Sequence, residues 1–116
     1  MHYTVEHKND VSILRVHHER LDTEVAHDLK VELLKLVSGK NKGILLDLKQ
    51  VHYADSTGLG AILFGIRQGR EQGRDLKLVH LNERVLNLIR IAKLDDVIES
   101  FDNEDEALAS FQQAAG

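Results

Sequence analysis

The sequence predicts an α/β domain built on a mixed β-sheet, an N-terminal hairpin followed by parallel strands, covered by about four helices. Three observations predict it. Along the 116 residues the apolar periodicity switches repeatedly between the two-residue repeat of strands and the 3.6-residue repeat of helices. The segments read ββαβαβαβα, and strands alternating with helices call for parallel neighbours joined by crossovers. No proline, serine-rich linker or internal repeat interrupts the pattern, so 1–116 reads as a single domain.

Tyr3 to His7 and Val11 to Val16 are short β-branched runs separated by Lys8-Asn9-Asp10, a turn-forming cluster, and they predict the hairpin. From Asp22-Thr23 the period changes: Val25, Leu29, Leu33, Leu36 and Val37, with Ala26 beside them, share one helical face. Asp22 or Thr23 is the natural N-cap of this helix and Gly39 its stop. Gly43-Ile44-Leu45-Leu46-Asp47-Leu48 is almost wholly apolar, as a strand buried on both faces must be. A second helix is expected from Ser56 to Gln72, with Leu59, Ile62, Leu63 and Ile66 inward, Arg67, Arg70 and Glu71 outward, and Gly73 ending it. Leu76 to Val79 predicts another strand. Asn82 caps a helix carrying Val85, Leu86, Leu88, Ile89 and Ile91, and a brief strand near Val97 to Phe101 precedes a last helix with Ala107, Leu108 and Phe111.

Composition narrows the function. With no Cys there is no disulfide framework, thiolate metal site or cysteine nucleophile. The longest apolar runs, Ile44 to Leu46 and Ala61 to Phe64, are far below the ~20 residues of a membrane span. Met1 to His7 carries no secretory signal pattern, so a cytoplasmic location is expected. The net charge of −4 disfavours nucleic acid as a partner. Every Lys and Arg lies before residue 94, and seven acids follow it, which predicts an acidic, solvated face on the last helix.

One segment carries chemistry: Val51-His52-Tyr53-Ala54-Asp55-Ser56-Thr57-Gly58-Leu59-Gly60, running from the apolar strand into the second helix. Gly inside a helix costs roughly 1 kcal/mol against Ala. Gly58 and Gly60 therefore imply either a close approach by another molecule or tight packing of the helix start. Unpaired N–H groups and the helix dipole would receive an anion on Ser56 or Thr57. A phosphoryl group there would add about −1.5 to −2 charge beside Asp55. The plainer reading is that Ser56 or Thr57 is an N-cap with Asp55 supporting the dipole.

Asp55-Ser56-Thr57-Gly58-Leu59-Gly60, followed by Ala61-Ile62-Leu63, resembles the signature of the STAS superfamily, specifically the bacterial anti-sigma-factor antagonists. The early hairpin, the Leu21-Asp22 step before the first helix and the Leu46-Asp47-Leu48 strand extend the resemblance over the whole chain. The resemblance implies a partner-switching protein without catalytic activity or cofactor. It would bind an anti-sigma factor that is also a serine kinase of the histidine-kinase-like ATPase fold, be phosphorylated and released by it, and be reset by a PP2C-type serine phosphatase. By position, Ser56 matches the phosphorylated serine, Thr57 the secondary hydroxyl, Asp22 the acid before the first helix, and Asp55, Gly58, Leu59 and Gly60 the rest of the motif. Family members usually carry Gly before the step into Leu-Asp; here Glu19 holds that place. The alternative is a non-switching adaptor domain of the same fold in a larger signalling complex, using Ser56 only as a helix cap.

Other constellations are weaker. The seven histidines include no HxxxH pair, and the adjacent His17 and His18 would point to opposite faces of a strand, so no metal site is expected. Asp55-Ser56-Thr57-Gly58 lacks the first Gly of a G-x-S-x-G elbow, and the glycines match neither dinucleotide nor NTP cradles. Arg67, Arg70 and Arg74 could form a basic stripe, solvated or facing an acidic partner, and one of Leu59, Leu63 and Phe64 could anchor an interface.

Overall fold

A computed structural model describes residues 1–113. Strands β1 (Tyr3–Lys8) and β2 (Val11–Val16) form the antiparallel hairpin. The two residues between them, Asn9 and Asp10, take φ of 53° and 66°, as a two-residue loop matched to strand twist requires. Next come β3 (Arg20–Leu21), helix α1 (Thr23–Val37), β4 (Gly43–Asp47), β5 (Tyr53–Ala54) and α2 (Ser56–Glu71). The chain continues with β6 (Asp75–Val79), α3 (Glu83–Ile91), β7 (Ser100–Phe101) and α4 (Glu104–Gln113). The main sheet has the order β1-β2-β4-β6-β7, parallel from β2 onward, and β3 pairs with β5 in a separate two-stranded ribbon. This is the mixed sheet with four helices that the alternating pattern predicts, with a Cα radius of gyration of 12.8 Å.

The sheet separates two apolar layers. Leu14, Val16, Ile44, Leu46, Leu76 and Leu78 point into the larger one, against Leu29 and Leu33 of α1 and Leu59, Ile62 and Ile66 of α2. Val11, Ile13, Leu45 and Val79 point to the opposite face, which α4 covers with Ala107, Leu108 and Phe111. Because β4 is covered on both faces, all five of its residues are buried. β1, mostly exposed, forms one edge of the sheet, and the two-residue β7 forms the other.

The α4 face also holds buried charge. Arg15 donates through Nε to Glu6 (2.9 Å) and through Nη1 to Asp47 (2.8 Å) and Glu104 (2.7 Å). The Asp47 side chain is 6% exposed and also accepts from Lys49 N (3.0 Å). Lys77 is buried beneath α4, its Nζ donating to Ser110 Oγ (2.9 Å) and lying 4.8 Å from the Phe111 ring centre. The hydrogen bond from Arg15 pulls the Glu104 carboxyl down to about 2, from an ordinary value of 4.5. A carboxylate stabilised in this way contributes its stability above the unfolded value and loses it as pH falls through the folded value. We therefore expect the stability measured by urea denaturation to fall as pH drops from about 4.5 to 2, with Glu104 contributing on the order of 2 kcal/mol to that fall. In Glu104→Gln this part of the pH dependence should vanish, and an unchanged slope would refute the assignment.

Three expectations need correction. Arg74 belongs to no basic stripe: its guanidinium turns inward and donates to the carbonyls of Gly39 (2.6 Å), Asn41 (3.1 Å) and Gln72 (2.8 Å). It clamps the α1–β4 connection to the end of α2, while Arg67 and Arg70 stay exposed. In α3, Val85 and Ile89 are buried, but Ile91 is 79% exposed, since a residue two places on from Ile89 points away from the face that Ile89 occupies. The last strand covers only Ser100–Phe101 of the expected Val97 to Phe101.

Candidate functional site

The Asp55–Gly60 segment is placed by the β3–β5 ribbon. After β4 the chain turns tightly, with Leu48 N donating to Val79 O (3.1 Å) and Val51 N to Leu48 O (3.0 Å), both side chains buried. His52 N and Tyr53 N then both donate to Glu19 O, at 2.8 and 3.1 Å, and the parallel register pairs Arg20 with Tyr53 and Leu21 with Ala54. One residue further on stand Asp22 and Asp55, which therefore begin α1 and α2 side by side. Their backbones are near copies, φ −101° and ψ −171° at Asp22, φ −107° and ψ −174° at Asp55.

Both aspartates are N-caps. Asp22 accepts from Val25 N (3.3 Å), and Asp55 from Thr57 N (2.9 Å) and Gly58 N (3.1 Å). The Thr57 hydroxyl also donates to Asp55 Oδ1 and lies 3.5 Å from the Thr23 hydroxyl, bridging the two helix starts. These donors, the Thr57 hydroxyl first and the Gly58 N–H next, hold the Asp55 carboxyl below its ordinary value. The cap is thus Asp55, and neither Ser56 nor Thr57 has that role. Ser56 is the first residue of α2; it is exposed, and its hydroxyl makes no hydrogen bond to any described residue.

This corrects a further expectation, that an anion here finds waiting donors. The amides of Thr57 and Gly58 are already committed to Asp55. A phosphate on Ser56 would instead stand beside a carboxylate held in its charged form, where like-charge repulsion opposes close packing of any acidic group.

The two glycines differ. A Cβ on Gly58 would lie 2.3 Å from Leu21 O, so this glycine lets α2 start directly against β3. Around Gly60 a Cβ would meet nothing within 4 Å, so packing within the chain does not explain this glycine. Gly60→Ala should therefore fold normally and gain about 0.5–1 kcal/mol in urea denaturation through helix propensity; a loss of stability would contradict the open geometry. Leu59 is buried in the larger core, and Leu63 and Phe64 are half-buried.

Two residues beside the site carried no sequence signal. Arg20 and Tyr53 lie opposite each other on the ribbon, both exposed, the guanidinium carbon 5.2 Å from the Tyr53 ring centre. Only the pairing of two-residue strands brings them together. Among the described residues, no group of three or more His, Cys, Asp or Glu side chains is arranged to hold a metal, and no helix is long and apolar enough to cross a membrane.

Comparison with known proteins fits this geometry. A profile of the family described as STAS domain matches residues 2–107. An anti-sigma-B factor antagonist of Bacillus subtilis is 35% identical over 79 residues, 68% of this chain and 72% of that protein. An anti-sigma F factor antagonist of Paenibacillus polymyxa is 27% identical over 109 residues, 93% and 92% of the two chains. The solved structure of the anti-sigma factor antagonist SpoIIAA in its unphosphorylated form superposes with a TM-score of 0.79 at 16% identity, covering 97% of both chains. The Bacillus SpoIIAA in its phosphorylated form superposes at 0.70 and 15% identity, covering 94% and 98%. At those identities the superpositions speak for the fold. Profile, pairwise identity and fold agree, and the chain belongs to the STAS domain family.

Proposed function

We propose that this chain is an anti-sigma factor antagonist whose docking is switched off by a phosphoryl group on Ser56. The observation that carries the reading is the contrast at the start of α2. Asp55 and Thr57 are bound to each other and to the helix end, whereas the neighbouring Ser56 hydroxyl is exposed and makes no hydrogen bond to a described residue. The relatives are antagonists by name, and one protein of this fold is known in a phosphorylated form, which supports the same reading.

The partner in this reading is an anti-sigma factor that is also a serine kinase of the histidine-kinase-like ATPase fold, acting in the cytoplasm. Ser56 Oγ attacks the γ-phosphorus of ATP. The new O–P bond forms as the bond to the β,γ-bridging oxygen breaks, ADP leaves, and the hydroxyl proton passes to a base of the kinase. A PP2C-type phosphatase returns the serine with water as the nucleophile. The chain itself supplies a surface and an acceptor and performs no catalysis. The charge added beside Asp55 must be desolvated when the partner docks, which weakens the complex. A non-switching adaptor that uses Ser56 as its helix cap is disfavoured, because Asp55 already fills that role.

The test uses Ser56→Ala to retrieve the partner from lysate of the source organism, since this variant cannot be released by phosphorylation. Mass spectrometry should identify a kinase of the stated fold. With that kinase and ATP, the wild type should gain one phosphate, Thr57→Ala should still gain it and Ser56→Ala should not. Ser56→Glu should bind the kinase about tenfold or more weakly by calorimetry. Full phosphorylation of Ser56→Ala, or unchanged affinity of Ser56→Glu, would overturn the reading.

A further inference from the structure

We propose that Arg20, seated on the ring of Tyr53, is a specificity-determining docking cation that selects a partner presenting a carboxylate opposite it. The inference rests on the Ser56 reading above and deepens it. Tyr53 lies three residues before Ser56, so their Cα atoms are at most roughly 11 Å apart, and the β3–β5 register sets Arg20 beside Tyr53. A partner that delivers a phosphoryl group to Ser56 through an interface of about 800 Å² per side covers a patch roughly 16 Å in radius, and that patch includes this pair.

What sets this guanidinium apart from the other exposed arginines is its seat on an aromatic ring. Arg15 is shared among three carboxylates and Arg74 among three carbonyls. Like the exposed Arg67, Arg70, Arg84 and Arg90, Arg20 forms no salt bridge or side-chain hydrogen bond to a described residue; unlike them, it lies over an aromatic ring, that of Tyr53. Of the nearby carboxylates, Asp22 and Asp55 are turned into the helix starts as caps, and the exposed Glu19 and Glu24, which line the same surface hollow, form no salt bridge with Arg20. Stacking on the ring leaves the donor edge of the guanidinium open and limits the rotamer freedom lost when it docks. Docking removes water from that edge, and a guanidinium left unpaired in an interface is costly, so a partner without an acid there is rejected. The counter-charge is assigned to protein: the γ-phosphate must reach Ser56 itself, whereas the ribbon flanks the point of transfer.

The experiment uses the purified kinase retrieved with Ser56→Ala, measuring calorimetric affinity without nucleotide and with ADP, and phosphoryl transfer from ATP. Arg20→Glu should bind on the order of tenfold more weakly in both nucleotide states, and Arg20→Gln should fall between it and the wild type. Wild-type binding should weaken with added salt more steeply than that of Arg20→Glu. Thermal melts should match, since the side chain is exposed. Wild-type phosphorylation together with unchanged binding by Arg20→Glu overturns this inference alone. A loss seen only with nucleotide assigns the counter-charge to the phosphates and overturns the carboxylate. Failure of the wild type to accept phosphate overturns the Ser56 switch and this inference with it.

Discussion

Gly58→Ala is expected to cost about 2 kcal/mol of stability and to stop Ser56 from accepting phosphate. The new Cβ would sit 2.3 Å from Leu21 O, and the clash is with backbone, so no side-chain rotation relieves it. The same oxygen accepts from Asp55 N at 3.4 Å, so making room means parting β3 from the start of α2. That movement would pull Asp55 away from the position in which it caps the helix and displace the residue after it. The gain in helix propensity, at most about 1 kcal/mol, offsets only part of an overpacking penalty of roughly 1–3 kcal/mol. Urea denaturation would report the loss, and phosphoryl transfer from the retrieved kinase would report the displacement. Gly60→Ala, two residues on and facing open space, is the matched control. A Gly58→Ala protein as stable and as good an acceptor as Gly60→Ala would refute the packing account of the motif.

Arg15→Ala should be costlier, at about 3 kcal/mol or more, because it strands charge. Asp47 is nearly buried and would lose its 2.8 Å partner, keeping only the Lys49 amide (3.0 Å) and the His80 ring (Nδ1, 3.1 Å), while Glu6 and Glu104 would face it across the vacated space. Breaking a buried pair from one side leaves an ion without its guanidinium counter-charge, which is worse than removing both members. The double variant Arg15→Leu/Asp47→Leu should accordingly recover much of the loss. The single variant should suffer most at neutral pH and least in acid, where its carboxylates are protonated. A loss below about 1 kcal/mol at pH 7 would show that water already screens the cluster.

How far the sequence revealed this structure depends on what held each part together. β4 and α1 were legible because apolar burial leaves a periodic record: Ile44, Leu45 and Leu46 occupy both faces of the sheet, and Leu29 and Leu33 recur at helical spacing. The Asn9-Asp10 turn was legible because both residues tolerate positive φ. The β3–β5 ribbon was not, since it is made by amide-to-carbonyl bonds to Glu19 that any residue could supply. The motif reads as Asp55 supporting a hydroxyl cap, yet Asp55 is the cap; the motif shows an acid beside two hydroxyls but not which of them takes the non-helical backbone angles. Arg74 was misplaced for a similar reason, as spacing along a helix says nothing of carbonyls that turn toward it from another loop.

The two margins of the main sheet bear on behaviour at high concentration. One is a strand only two residues long, too short to seed a foreign strand, and the other carries Glu6 and Lys8, already engaged with Arg15 and Glu104. Another copy adding itself edge to edge would have to lay its strand beside those charged side chains, so the protein carries its own guard against fibrous polymerisation.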